Sequence, residues 1–310
     1  MTRGSVRLAP EVVAALEDGR AVVALESTLI AHGLPWPQNL ETARDSEAAV
    51  RLAGAAPATI AVIGGIIHVG LAEDELEGIA RASSFLKASR RDLAPVVARG
   101  LDAATTVSAT VWIAREVGIG VMATGGLGGV HRGAAESFDV STDLDELARA
   151  DGMVVVCSGV KSILDIPATL ENLETRGVAV IGYRTEAFPA FTTVSSGLSL
   201  EWRADSAEDV ARIARAHRAM RLPGAIVLAQ PVPDAVAIAE AEMDAALVHT
   251  LAEAQAQGIG GKAITPFLLD AIRRVTEGRS LVANRALIVA NAVLAGEVAA
   301  RLAEDRASKS

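Results

Sequence analysis

Short apolar runs alternate with amphipathic stretches along most of the chain. Residues 21–25 form an uninterrupted apolar run that ends at Glu26-Ser27-Thr28. Residues 153–157 and 225–229 are runs of the same kind, and 120–124 and 178–181 add two more. Runs this short, rich in β-branched residues and bounded by glycine, proline or polar residues, predict buried strands. Between them apolar residues recur at helical spacing. The pattern predicts helices over 10–18, 38–53, 73–83, 106–117, 141–150, 162–176 and 206–221. The last third is almost wholly helical in character, over 235–257, 266–277 and 281–304. Pro10 suits a first helical turn, and Pro167 is expected to kink its helix or split off an initial turn.

Residues 52–72 lack Asp, Glu, Lys and Arg and are long enough to span a membrane. Pro57, Gly64-Gly65 and Gly70 interrupt them and no aromatic belt flanks them, so 59–63 and 66–69 read as two buried strands instead. Buried strands alternating with helices imply an α/β fold of three layers, α/β/α, around a central mixed, largely parallel sheet, with a helical C-terminal region. No internal repeat or long linker divides the chain. One domain over 1–310 is expected, with the helical part at about 235–305 and a polar tail at 306–310. Ligands of such sheets bind beyond the strand C-termini; here those ends carry Glu26, Gly125-Gly126, Lys161 and Gln230.

Composition narrows the class. An apolar share of 51% is too high for a disordered chain, and a net charge of −9 argues against a broad nucleic-acid surface, though not against a local phosphate pocket. The single cysteine, Cys157, excludes a disulfide framework and a cysteine-based zinc site. Residues 1–18 carry charges throughout and lack the apolar core of a secretory signal, so a reducing, cytoplasmic setting is expected. Of the 29 basic residues only four are lysines: Lys87, Lys161, Lys262 and Lys309. Lys309 lies in the polar tail; the other three sit near Gly, Ser or Thr.

Lys161 follows a buried strand in Cys157-Ser158-Gly159-Val160-Lys161. Desolvation disfavours an ammonium, and a neutral amine attacks an aldehyde or masked aldehyde to form an imine. The plainer reading is a junction lysine that reaches solvent. Glu26, at another strand end, is either an enclosed acid or base or a structural carboxylate. Asp139-Val140-Ser141-Thr142-Asp143 fits a helix N-cap at Ser141; if extended, it places Asp139, Ser141 and Asp143 on one face, with oxygen ligands for a hard divalent ion. The loop Thr124-Gly125-Gly126-Leu127-Gly128-Gly129-Val130-His131 presents backbone N–H groups that can cradle a phosphate, or simply makes tight turns. It matches neither common nucleotide fingerprint, and Lys262 fails the P-loop pattern because Ala263 lacks a hydroxyl. Lys87 can meet a phosphate as a point charge or lie solvated between elements. The histidines lack zinc-type spacing, with His32 and His131 beside candidate loops, and Cys157 reads as a core residue.

Taken in order, several strings are more specific than any one of them: 24–28 through His32-Gly33-Leu34-Pro35, Lys87-Ala88-Ser89-Arg90-Arg91-Asp92-Leu93, 123–133, 157–165, Gly261-Lys262 with 265–269, and 280–284. On these the sequence resembles the pseudouridine-5'-phosphate glycosidase family, also called pseudouridylate synthase or indigoidine-synthase-A-like, over roughly residues 10–300. The resemblance implies reversible cleavage of pseudouridine 5'-phosphate into uracil and ribose 5-phosphate. It places Lys161 on the Schiff-base nucleophile and Glu26 on the proton donor. Asp139 falls on a Mn²⁺ site, one ion per subunit and partly water-coordinated. Lys87, Val107, Ser141, Thr142 and Asp143 fall on substrate-binding positions, and Asn284 on a position near the base or ribose. Thr124, Gly125, Gly126 and His131 join the expected substrate contacts. A homotrimer is implied, with neither nucleic acid nor membrane as partner. The chain departs from the family pattern by one extra residue near Asp151-Gly152, expected in a turn, and by Ala290-Asn291 where paired Asn is common. Two rival readings remain: another Schiff-base lyase or aldolase on a sugar phosphate, which has no need to recognise uracil, and a non-catalytic phosphometabolite-binding regulator, which has no evident use for both Glu26 and Lys161.

Overall fold

The structure, a computed structural model, describes residues 5–259 and 264–307. In chain order it runs β1 (Val6–Leu8), α1 (Pro10–Glu17), β2 (Val22–Leu25), a π-helical turn (Leu29–Gly33) and α2 (Gln38–Leu52). Then come β3 (Ala56–Ile63), β4 (Ile66–Val69), α3 (Glu73–Arg81), β5 (Leu86–Ala88), α4 (Leu93–Ala98), β6 (Ala103–Thr105), α5 (Val107–Glu116) and β7 (Val121–Ala123). The middle holds α6 (Ala134–Ser137), α7 (Thr142–Leu147), β8 (Val154–Cys157), α8 (Ile166–Thr175), β9 (Ala179–Tyr183) and β10 (Arg203–Ala204). The chain closes with α9 (Ala207–Ala219), β11 (Ile226–Ala229), α10 (Glu240–Ala256), α11 (Ile264–Val275) and α12 (Arg279–Ala307).

The strands form one sheet in the order β1-β4-β3-β2-β7-β8-β11-β9-β10, with β6 joining β3 to β5. β3 runs antiparallel to β4 and β6, and the other pairings are parallel. The mixed, largely parallel sheet of the sequence reading is therefore present. Its centre explains the unbroken apolar runs. Alternate residues of a strand point to opposite faces, and both faces are covered. Val22, Ala24, Met122, Val155, Cys157 and Val227 join the core under α1, α5, α7 and α8. Val23, Leu25, Val121, Val154, Val156 and Leu228 join the core under α2, α9 and α12. Each fully buried Val or Leu contributes about 1.5–3 kcal/mol by leaving water.

α12 is apolar and long enough to cross a membrane by length and composition. Half of its apolar window is nonetheless buried, with Ala292, Ala295 and Val298 in the core against α2 and the sheet. Gly296 lets the two helices close up, since a Cβ there would lie 2.5 Å from that of Ala53. The uncharged stretch 52–72 resolves into the end of α2 and the antiparallel pair β3 and β4.

Two expectations need correction. The helix expected over 162–176 begins only at Ile166, capped by Asp165, whose side chain accepts from Ala168 N at 3.0 Å. Pro167 sits in the first turn, where its missing N–H has no intrahelical acceptor to meet, so it marks a start and not a kink. The helix expected over 235–257 is broken. A 3₁₀ turn (Asp234–Val236) precedes an extended stretch in which Ile238 N donates to Thr192 O at 2.9 Å, and α10 starts at Glu240. Of the two readings of Asp139 to Asp143, the helix cap holds, since α7 starts at Thr142. The turn expected at Asp151-Gly152 is present, with Gly152 at φ +67° and Asp151 Oδ1 accepting from Gly224 N at 3.2 Å. Lys262 and Lys309 lie outside the described residues.

Candidate active site

The parallel neighbours β2, β7 and β8 end side by side, and a cavity of about 370 Å³ opens beyond their C-terminal ends. Glu26, Gly125, Gly126 and Lys161 reach it directly from those ends. Lys87 reaches it from β5, and Val107 from the N-terminus of α5. His131, Asp139, Ser141, Thr142 and Asp143 line it from the segment that follows the glycine loop, and Asn284 from α12. Thr124, expected among the substrate contacts, does not line it; its hydroxyl donates to Glu26. Residues up to 258 positions apart in sequence, from Glu26 to Asn284, thus share one chamber.

Glu26 is buried, and both its oxygens are engaged: the Thr28 hydroxyl donates to Oε2 and the Thr124 hydroxyl to Oε1. Such donors fix the carboxyl group in one orientation. Lys161 is delivered by an irregular loop. Gly159 adopts φ +71°, and a Cβ there would stand 2.0 Å from Pro189 O, so only glycine fits this bend. Leu127 N then donates to Gly159 O at 2.9 Å and Lys161 N to Leu127 O at 3.2 Å, which ties the lysine loop to the glycine loop.

Asp143 holds the same loop from the other side. Its Oδ1 accepts from Ser108 N at 2.9 Å and its Oδ2 from Gly128 N at 3.0 Å, while Ser141 Oγ caps α7 by accepting from Asp143 N at 3.2 Å. The helix-cap reading of this motif is therefore correct, and Asp143 lines the cavity with both oxygens already occupied by backbone amides. Gly128 has no room for a side chain, since a Cβ would lie 2.4 Å from Ser141 Oγ.

His131 stands between charges. Burial lowers its pKa first, the positive charges of Lys87 and Lys161 add to this, and Asp139 opposes it from 3.9 Å. Asp139 is partly exposed, with a side-chain relative exposure of 42%. Among the described residues no cluster of three or more His, Cys, Asp or Glu is placed to hold a metal. A hard divalent ion needs fewer protein ligands, since one or two carboxylates with waters and substrate phosphate commonly suffice. Asp139 fits that role. Cys157 is fully buried, and burial pushes its thiol up to about 12, which removes it as a nucleophile.

Sequence reasoning left several site residues unassigned. Thr28, Ser89 and Arg91 line the cavity and lie inside or beside the quoted motifs. Asn291 appeared only as a departure from the usual Asn pair. It is fully buried, and its Nδ2 donates to Thr124 O at 2.8 Å and to Ser158 Oγ at 3.1 Å, pinning together the ends of β7 and β8. Phe191 had no sequence signal. It is a buried non-glycine residue at φ +63°, held by its N–H donating to Ser158 O at 2.9 Å, with its ring against Gly126. A second chamber of about 250 Å³ adjoins the first and shares His32, Leu34, Phe191, Leu269 and Asn284 with it.

Comparisons with known proteins show the family of the chain. A family profile described as indigoidine synthase A like protein matches residues 11–301. A pseudouridine-5'-phosphate glycosidase of Caldanaerobacter subterraneus is 52% identical over 297 residues, covering 96% of both chains. One from Streptomyces griseus is 51% identical over 300 residues, covering 96% of this chain and 93% of its own. Among solved structures, the prealnumycin C-glycosynthase AlnA in complex with ribulose 5-phosphate superposes with a TM-score of 0.91 at 39% identity, covering 99% of this chain and 100% of its own. An indigoidine synthase A-like protein of Thermotoga maritima follows at 0.87 and 38%, covering 96% of both. The fold, the motifs and matches spanning nearly the whole chain lead to one conclusion: the chain belongs to the indigoidine synthase A-like family, which is the pseudouridine-5'-phosphate glycosidase family.

Proposed function

We propose that the protein catalyses the reversible hydrolysis of pseudouridine 5'-phosphate to uracil and ribose 5-phosphate. The observation that carries this reading is the convergence of Lys161, Glu26, Lys87 and His131 on one cavity at the strand ends, in a chain about half identical to proteins that bear that activity's name. The ribulose 5-phosphate held by AlnA supports a sugar phosphate as the common ligand.

The bond to be cut joins two carbons, so protonating a glycosidic oxygen, as the paired-carboxylate scheme requires, is not open to this reaction. A ring-opening route fits the residues. Glu26 gives a proton to the ribose ring oxygen O4' as the C1'–O4' bond breaks, and the Lys161 nitrogen bonds to C1'. The nitrogen loses a proton to the Glu26 carboxylate. Its lone pair then forms the C1'=N imine as the C1'–C5 bond breaks, and C5 of the departing uracil takes the proton back from Glu26. Water hydrolyses the imine, which frees ribose 5-phosphate and restores the amine. Lys87, the Val107 amide at the start of α5, and Ser141 and Thr142 at the start of α7 are the groups suited to the phosphate.

Asp139 would hold one Mn²⁺ per subunit, whose positive charge, when bound, helps to orient the phosphate and sugar oxygens. The protein is read as a cytoplasmic homotrimer; light scattering that returns a monomer would overturn the trimer. The direct test of function is incubation with pseudouridine 5'-phosphate with and without Mn²⁺. Uracil release that rises with the metal is expected, and no uracil under either condition would refute the function.

A further inference from the structure

The cavity groups suited to the phosphate come from three separate segments. Lys87 is on β5, with Ser89 and Arg91 in the turn after it; Val107 starts α5; Ser141 caps α7 and Thr142 starts it. Binding one small anion from three segments requires their spacing to hold to within about 0.5 Å. Two side chains placed to set that spacing stand behind the wall. Ser108 and Glu146 are both buried, and neither lines the cavity.

Ser108 joins all three segments through one hydroxyl. Its Oγ accepts from Arg90 N at 3.3 Å and lies 3.2 Å from Thr106 Oγ1 and 3.2 Å from Thr142 Oγ1. A serine hydroxyl has one hydrogen to give and two lone pairs to receive. These three partners occupy all of it, with one threonine hydroxyl donating and the other accepting, so nothing is left for a substrate atom. Ser108 N also donates to Asp143 Oδ1 at 2.9 Å, a second tie to α7.

Glu146 lies on α7 one turn beyond Thr142. Its side chain is 2% exposed, with Oε2 2.8 Å from Arg90 Nε and Oε1 3.9 Å from Arg115 NH1 on α5. Neither oxygen receives an aligned hydrogen bond among the described residues, so charge is what holds this carboxylate. Burial raises its pKa, and Arg90 is the first of the arginines that oppose this. Such a pair adds little net stability, because desolvating the charges offsets their attraction. Its effect is directional. It sets Arg90, and with it the adjacent Ser89 and Arg91, against the helix that presents Thr142.

We infer that Glu146 and Ser108 are positioning residues for the phosphate end of the cavity. Together they brace the turn at Arg90, the start of α5 and the start of α7 at the spacing that one phosphate group needs. The inference rests on the proposed function, which places the phosphate there.

The test is steady-state kinetics of the full-length Glu146→Gln and Ser108→Ala variants with pseudouridine 5'-phosphate, together with inhibition by ribose 5-phosphate and by uracil. Charge alone predicts that removing a carboxylate near the phosphate tightens binding. Bracing predicts the reverse. In Glu146→Gln, KM and the ribose 5-phosphate inhibition constant are expected to rise at least about tenfold while kcat falls less than about threefold, the pattern of lost ground-state binding. The uracil constant is expected to stay within about twofold, since uracil carries no phosphate. Ser108→Ala alters no charge and is expected to raise the same two constants at least about threefold. A residue that serves the fold alone lowers Tm and the active fraction but leaves KM and both inhibition constants at parental values, and that result in a folded variant overturns the role of the residue replaced. An equal rise for ribose 5-phosphate and uracil, or a fall in KM, also overturns the inference. If Glu146→Gln does not fold, Ser108→Ala decides. If the unaltered enzyme does not cleave pseudouridine 5'-phosphate, the proposed function fails and this inference with it, whereas normal turnover in the parent with parental constants in both variants sinks the inference alone.

Discussion

At Lys161 the choice between lysine and arginine carries chemical consequence. The chain uses 25 arginines and four lysines, so lysine is not its default cation. A guanidinium stays protonated under any condition the protein meets and cannot serve as a nucleophile, whereas an amine can lose its proton. Lys161→Arg keeps the charge and removes the chemistry. Turnover of pseudouridine 5'-phosphate is expected to fall by at least about 10³-fold, as for loss of a covalent nucleophile, while the circular dichroism spectrum stays that of the parent. A loss below tenfold would show that the residue serves as a charge and no more. Lysine scarcity made Lys161 and Lys87 visible in the sequence. Glu26 was visible from its place at a strand end, but its two hydroxyl partners were not, because Thr124 lies 98 positions away in sequence and meets it only in the folded chain.

The elements around the site divide into those legible from pattern and those that tertiary contacts decide. The central strands and the long helices follow from periodicity, because burial on both faces forces continuous apolar runs. The short strands β1, β5 and β6 escaped it: three residues give no period, and β5 carries Lys87 in its middle. Asp143 shows the limit more sharply. Spacing alone cannot separate a metal ligand from a helix cap, and the deciding facts are the amides of Ser108 and Gly128, which arrive from α5 and the glycine loop. Asp143→Ala leaves both amides without their acceptor and is expected to cost about 2–4 kcal/mol. A thermal melt would register this as a fall in Tm of about 5–10 °C. An unchanged Tm would mean that the loop does not depend on this carboxylate.

Over the whole molecule, a three-layer sheet brings its loop-borne groups together at one edge and buries four of its five histidines far enough to disfavour their charged form. His32, His68, His131 and His217 all have pKa values lowered from 6.5, with burial the largest cause in each. Below 6.5 the unfolded chain takes up these protons before the folded chain does, so stability present above that value is lost as pH falls through the folded pKa values. Glu47 and Glu146 oppose this, since burial raises them from 4.5 and the folded state then binds their protons more readily. The histidines are displaced from 6.5, nearer this range than the 4.5 of the two carboxyls, so Tm is expected to drop between about pH 7.5 and 5.5, and a rise over that range would contradict it. The same architecture places Lys161 and Glu26 in one chamber, and on that pair the proposed chemistry turns. The most direct measurement is reduction with borohydride in the presence of ribose 5-phosphate, followed by peptide mass spectrometry. The imine mechanism predicts a reduced ribose 5-phosphate adduct on Lys161 and inactivity of Lys161→Ala. No adduct at Lys161, together with turnover surviving in Lys161→Ala, would contradict it.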